Sequence, residues 1–168
     1  MSSPCSLCSA ECCKTYVVTI TSFDVFRICR ETKRKHQDFA VLHEPRLLGF
    51  DPDLILNTTD GYERYLLGFK SHPCIFLGKD NLCKVHDSAP LSCRYYPYRL
   101  GRKMNARFCP LLPQLLFRIK GPDIREDSLL KEFKAYKKIV AEWNRNPGKR
   151  EDCISFLLRK TEELHENL

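Results

Sequence analysis

Cys5-Ser6-Leu7-Cys8-Ser9-Ala10-Glu11-Cys12-Cys13 packs four thiols into the start of a 168-residue chain. Four more follow at Cys74, Cys83, Cys93 and Cys109, so eight of the ten cysteines fall into two groups. Thiols this close together form disulfides or hold metal, and the compartment decides which. From Met1 to Ala10 there is neither the basic n-region nor the apolar h-region of an export leader, so the expected location is cytoplasmic and the thiols are expected to be reduced. A tetrahedral site takes four soft donors at about 2.3 Å, and a Cys-x2-Cys turn such as Cys5 to Cys8 offers two of them from one loop.

Outward from this cluster, the β-branched run over residues 15–20 predicts a short strand, and Thr21-Ser22 offers a helix N-cap. Val25, Phe26, Cys29 and the stem of Lys33 recur at helical spacing, with Asp24 in the first turn where the helix dipole favours it, predicting a helix over 22–35. Pro45, Gly49 and Pro52 mark a loop-rich middle, and residues 62–69 read as a second strand. Prolines at 73, 90, 97, 110, 113 and 122 then cut the chain into short pieces, a stretch better organised by ligand bonds than by long regular elements. The last third differs. Leu129, Phe133, Tyr136, Val140 and Trp143 form one apolar stripe, with Asp127 or Ser128 as cap; Ile154, Leu157, Leu158, Thr161 and Leu164 form another beyond Pro147-Gly148. The expected fold is α+β: one domain over 1–168, irregular and cysteine-rich over 1–110, with a helical hairpin over 127–166 packed on it.

A chain of this length, 43% hydrophobic, buries roughly 70% of its unfolded surface, so it does not need metal merely because it is small. The most apolar run, 111–119, is interrupted by Pro113, Gln114 and Arg118, so a soluble protein with no membrane partner is expected. The formal charge of +7 counts cysteines as neutral. Eight thiolates would subtract eight and two divalent ions restore four, leaving about +3. Arg94-Tyr95-Tyr96-Pro97-Tyr98-Arg99, followed by Arg102, Lys103 and Arg107, interleaves rings with cations as single-strand binders do. No recognition motif accompanies it, and cations beside thiolates have an electrostatic role of their own, so nucleic acid is not the expected partner. No protein partner is legible.

Adjacent Cys12 and Cys13 leave an extended chain on opposite faces and a helix about 100° apart, which favours separate ions or a polynuclear centre. Spacing leaves three arrangements open: two four-cysteine sites, one multinuclear centre, or one four-thiol site with the remaining thiols near a reactive position. Cys29 and Cys153 lie on apolar helix faces and read as packing residues. His86, three residues after Cys83, and His72, two before Cys74, are near enough to compete for a ligand position, but an exposed or hydrogen-bonded role is expected for both.

The paired groups resemble the cysteine-cluster family described as a zinc- or iron-chelating domain, whose hallmark is Cys-x2-Cys-x2-Cys-Cys. The family's second half, Cys-x-x-Leu, then Cys, then Arg-Pro-x-x-Cys-Arg-x-aromatic-Pro, is similar to Cys74-Ile75-Phe76-Leu77, Cys83 and Ala89-Pro90-Leu91-Ser92-Cys93-Arg94-Tyr95-Tyr96-Pro97, and Cys109 resembles a later family cysteine. This chain has three residues rather than two between Cys8 and Cys12, Ala89 in place of the arginine, and His86 where tyrosine is frequent. The resemblance implies Cys5, Cys8, Cys12, Cys13, Cys74, Cys83, Cys93 and Cys109 as metal ligands, and zinc or iron, including an iron–sulfur cluster, as the cofactor. The family includes a flagellin lysine N-methylase, which implies an iron–sulfur enzyme as an alternative; no Gly-rich cofactor loop here supports methyl transfer independently. A nucleic-acid-binding zinc module is a further alternative. Structural zinc contributes on the order of 10–16 kcal/mol, so its removal is expected to unfold residues 1–110.

Overall fold

A computed structural model describes residues 4–45, 51–61, 64–100 and 109–166. Gly49, Tyr62, Arg102, Lys103 and Arg107 lie outside the described residues. The described chain is α+β, with six α-helices: α1 (Glu11–Thr15), α2 (Ser22–Thr32), α3 (Leu91–Tyr95), α4 (Leu111–Lys120), α5 (Glu126–Arg145) and α6 (Arg150–Glu166). Strands β1 (Ala40–His43), β2 (Leu56–Asn57) and β3 (Arg64–Phe69) form an antiparallel sheet in the order β1-β3-β2. Ala40 faces Phe69, His43 faces Leu66, and Leu56 faces Tyr65.

β3 is central because its run Tyr65-Leu66-Leu67-Gly68-Phe69 is apolar at every position, which suits a strand covered on both faces, and all five residues are buried. The expected strand over 15–20 is realised only as a bridge. Thr15 ends α1, whereas Thr19 pairs with Gly68, Ile20 N–H donates to Leu67 O at 3.0 Å, and Phe69 N–H donates to Val18 O at 3.0 Å. A Cβ on Gly68 would stand 3.1 Å from Val18 O, so this close approach uses the glycine.

α2 begins with a reciprocal cap. Asp24 N–H donates to Thr21 Oγ1 at 3.2 Å and Thr21 N–H to Asp24 Oδ2 at 2.8 Å. The helix ends before the expected boundary, because Lys33 turns left-handed at φ 57° and its N–H closes on Cys29 O. α5 likewise is capped two to three residues before the expected positions. Its N-cap is Arg125, which makes no side-chain cap, and Glu126 and Asp127 occupy the first turn. The proline-rich stretch also supports a ten-residue helix, α4, because Pro113 falls in the first turn, where its missing N–H leaves no internal bond unmade.

The core joins these parts. Phe39, Phe69 and Phe76 meet edge-on, with centroids 5.2–6.2 Å apart. The same cluster takes Val25 and Ile28 of α2, Tyr136, Ile139, Val140 and Trp143 of α5, and Cys153 and Leu157 of α6. Asn144 fastens α5 to the region of β2: its amide accepts from Asn57 N–H at 2.9 Å and donates to Ile55 O at 2.7 Å. No helix among the described residues is long and apolar enough to cross a membrane.

Candidate metal centre

Cys5 lies on a 3-10 turn (Pro4–Leu7) closed by Cys8 N–H donating to Cys5 O at 3.1 Å. Ala10, left-handed at φ 61°, turns the chain into α1 and donates its N–H to Cys8 Sγ at 3.3 Å. α1 carries Cys12 and Cys13, whose sulfurs stand 3.9 Å apart, so the neighbouring side chains converge despite their helical offset.

Cys74 and Cys83 sit on the two arms of a short hairpin. Leu77 bridges Cys83, Lys84 N–H donates to Phe76 O at 2.9 Å, and Gly78 N–H donates to Leu82 O at 2.8 Å. A Cβ on Gly78 would stand 3.1 Å from Leu82 O, so the glycine permits the tight end. Both thiols receive backbone donors, Cys74 from Phe76 and Leu77 and Cys83 from Val85. Phe76 and Val85, each 2% exposed, anchor the hairpin in the core.

Cys93 lies in α3, whose start is held by Leu91 N–H donating to buried Asp24 Oδ1 at 3.0 Å and by Ser92 Oγ donating to Thr19 O at 3.3 Å. Cys109 is buried immediately ahead of α4, and α4 packs on the Pro4–Leu7 turn. No disulfide joins any of the ten cysteines.

Seven of the eight clustered cysteines, all but Cys109, line one cavity of about 430 Å³. The thiols interact in two sets. Burial first, then the charges of Cys13, Cys74, Asp24 and Cys83, push the Cys93 thiol well above the usual range. Burial chiefly raises Cys74, and raises Cys83 to about 11; the backbone N–H groups oppose it, while Cys13 adds to it in both and Cys74 adds to it in Cys83. Cys13 is raised by its contact with Cys12, by burial and by the charge of Cys12, against Lys14. Cys109 is pushed up to about 11 by burial and by Cys8 and Cys5. Grouped thiols that disfavour one another's ionisation are stabilised as thiolates when a divalent cation neutralises them. Among the described residues, no three His, Cys, Asp or Glu side chains are drawn close enough to hold an ion as they stand.

His86 lines the cavity, with Nε2 4.0 Å from Asp123 Oδ2, whereas His72 is exposed and away from it. Cys29 and Cys153 stand apart from the cavity and pack on the core. Arg94 reaches the cavity, but Tyr95 is buried and Tyr98 donates its hydroxyl to Phe117 O at 2.5 Å, so these two rings serve packing. Sequence reading missed Phe76 as an anchor and Asp24 as the support of α3. The Thr-x-x-Asp spacing signals the cap made by Asp24, but no local pattern signals its bond to Leu91.

A family model, CxxCxxCC, described as "Putative zinc- or iron-chelating domain", matches residues 4–110. The chain belongs to this family. No curated protein and no solved structure matches it. The CxxCxxCC match opens at the turn carrying Cys5 and closes one residue after Cys109, so it contains all eight clustered cysteines and stops before α4. The family description supports metal binding in general.

Proposed function

We propose that this protein chelates zinc or iron in a reducing, cytoplasmic setting, with Cys5, Cys8, Cys12, Cys13, Cys74, Cys83, Cys93 and Cys109 as ligands. The observation that carries the reading is the convergence of cysteines from residues 5–13 and 74–93 on one cavity. Two features of the donor set fit a thiophilic ion. Backbone N–H groups aim at the sulfurs of Cys8, Cys74 and Cys83, as they do where thiolates are held in place. The Cys12 and Cys13 sulfurs stand 3.9 Å apart, close enough to serve one ion or two adjoining ones.

Zinc held by four thiolates supplies folding energy rather than reactivity, because no coordination position is left open. The size of the cavity favours a second reading, an iron–sulfur enzyme. About 430 Å³ is within the range of small-ligand pockets and larger than a single ion needs, and Val18, Phe69, Phe76 and Phe117 supply apolar wall. Anaerobic purification followed by elemental analysis decides between them: a colourless protein containing zinc supports the structural role, and a brown protein containing iron supports the second.

Ligand assignment is tested by Cys93→Ser and Cys153→Ser. The first should hold less metal than wild type and the second as much, since Cys153 lies in the core away from the cavity. Equal metal content in the two variants would refute the assignment.

A further inference from the structure

We propose that the eight thiols divide across the two sequence groups into adjoining four-sulfur centres: Cys13, Cys74, Cys83 and Cys93 form one, and Cys5, Cys8, Cys12 and Cys109 form the other. The division rests on the reading that these cysteines bind metal. It differs from what chain order suggests, which is one centre from residues 5–13 and another from residues 74–109.

The backbone ties Cys13 to the central thiols. Cys74 N–H donates to Cys13 O at 2.9 Å, so the end of α1 and the start of the central hairpin are fastened at these two cysteines. Cys83 faces back across the same hairpin through its bridge to Leu77. Cys93 is brought up by α3, which Asp24 and Thr19 fix from behind through Leu91 and Ser92. Three elements distant in sequence thus deliver the four thiols, two of them from the hairpin.

Cys109 belongs elsewhere. It immediately precedes α4, and α4 packs against the Pro4–Leu7 turn that carries Cys5. Gln114 of α4 holds this end by donating Nε2 to Cys109 O at 2.5 Å. The Cys5–Cys8 backbone bond keeps Cys8 on the same turn. Cys12, four residues after Cys8, is the clustered thiol that remains and is assigned by elimination as the fourth donor of the amino-terminal centre. Its contact with Cys13 makes the two centres neighbours rather than independent sites.

The test uses the full chain, purified without oxygen and stripped of metal, and reads Co(II) uptake by thiolate charge-transfer absorption and by stoichiometry. Wild type should take two equivalents. Cys74→Ser, Cys93→Ser and the double variant should each retain one, whereas Cys93→Ser combined with Cys109→Ser should retain none. A parallel measurement needs no variant. Alkylation of the wild-type protein at increasing zinc should show Cys13, Cys74, Cys83 and Cys93 becoming protected as one block, and Cys5, Cys8, Cys12 and Cys109 as another. Protection of Cys5 through Cys13 as a block, or loss of all metal from any single substitution, overturns the division while leaving chelation standing. Absence of metal uptake by wild type overturns both.

Discussion

Asp24 is 1% exposed, and its carboxylate accepts from Thr21 N–H, Thr21 Oγ1, Leu91 N–H and the Arg27 guanidinium. It therefore serves two structures at once, the cap of α2 and the entrance to α3 two residues before Cys93. Replacing it with alanine leaves Arg27 with Glu132 alone, at 2.7 Å, and takes the acceptor from Leu91 N–H. Asp24→Ala should cost about 3–5 kcal/mol, the range for breaking a buried ion pair. Denaturant unfolding measures that loss, and metal content after purification should fall with it, since α3 loses its anchor. Phe76 acts by packing. Its ring meets Phe39 and Phe69 between Cys74 and Cys83, so Phe76→Ala should cost about 3–5 kcal/mol as a core cavity and also loosen the hairpin that carries both thiols. Cys29→Ser, outside the cavity lining, is the control that should keep its metal.

α5 is fixed to the rest of the molecule at both ends of its buried stripe. Leu129 packs with Leu91 and Tyr95 of α3, and Trp143 donates Nε1 to Asn57 O at 2.6 Å. Between them Lys137 binds Asp51 at 2.5 Å and Asp53 at 3.2 Å, holding α5 against the 3-10 turn Pro52–Leu54. The hydrogen bond from Lys137 holds the Asp51 carboxyl below its ordinary value, so this group's contribution is present above pH 3.8 and is lost as pH falls through the depressed value. Lys137 is raised by the same bond, so its contribution is lost only as pH rises through that raised value, above 10.5. Both groups are partly solvated, so Lys137→Met should cost less than about 1 kcal/mol at neutral pH. The difference from wild type should vanish at strongly acid pH, as read from denaturation midpoints at the two conditions. At this scale the apolar stripes of α5 and α6 are legible because a 3.6-residue period marks the buried face. The extent of α4 is not, because proline reads as a breaker until its position in the first turn is known.

For the whole molecule, the sheet, α2, α5 and α6 share one core, with Cys74 and Cys83 of the clustered thiols packed against it rather than forming part of it. That placement narrows the expected effect of removing metal. A chelator should raise hydrogen exchange over residues 4–15 and 74–95 and leave protection in β3 and along the buried stripe of α5; loss of protection throughout would show that the ion supports the entire fold. The eight cysteines, the α+β class and the carboxyl-terminal helices were legible in the sequence, since residue type, spacing and hydrophobic period are local properties. Membership in the CxxCxxCC family follows from the same patterns. Which thiol faces which was not legible. Cys13 meets Cys74 across sixty residues through one backbone bond, and Cys109 joins the neighbourhood of Cys5 because α4 packs on the first turn. Sequence by itself determined which thiols are grouped along the chain, because residue type and spacing are local properties. Only tertiary structure decided the neighbours of each sulfur, because those depend on core packing that brings distant segments together.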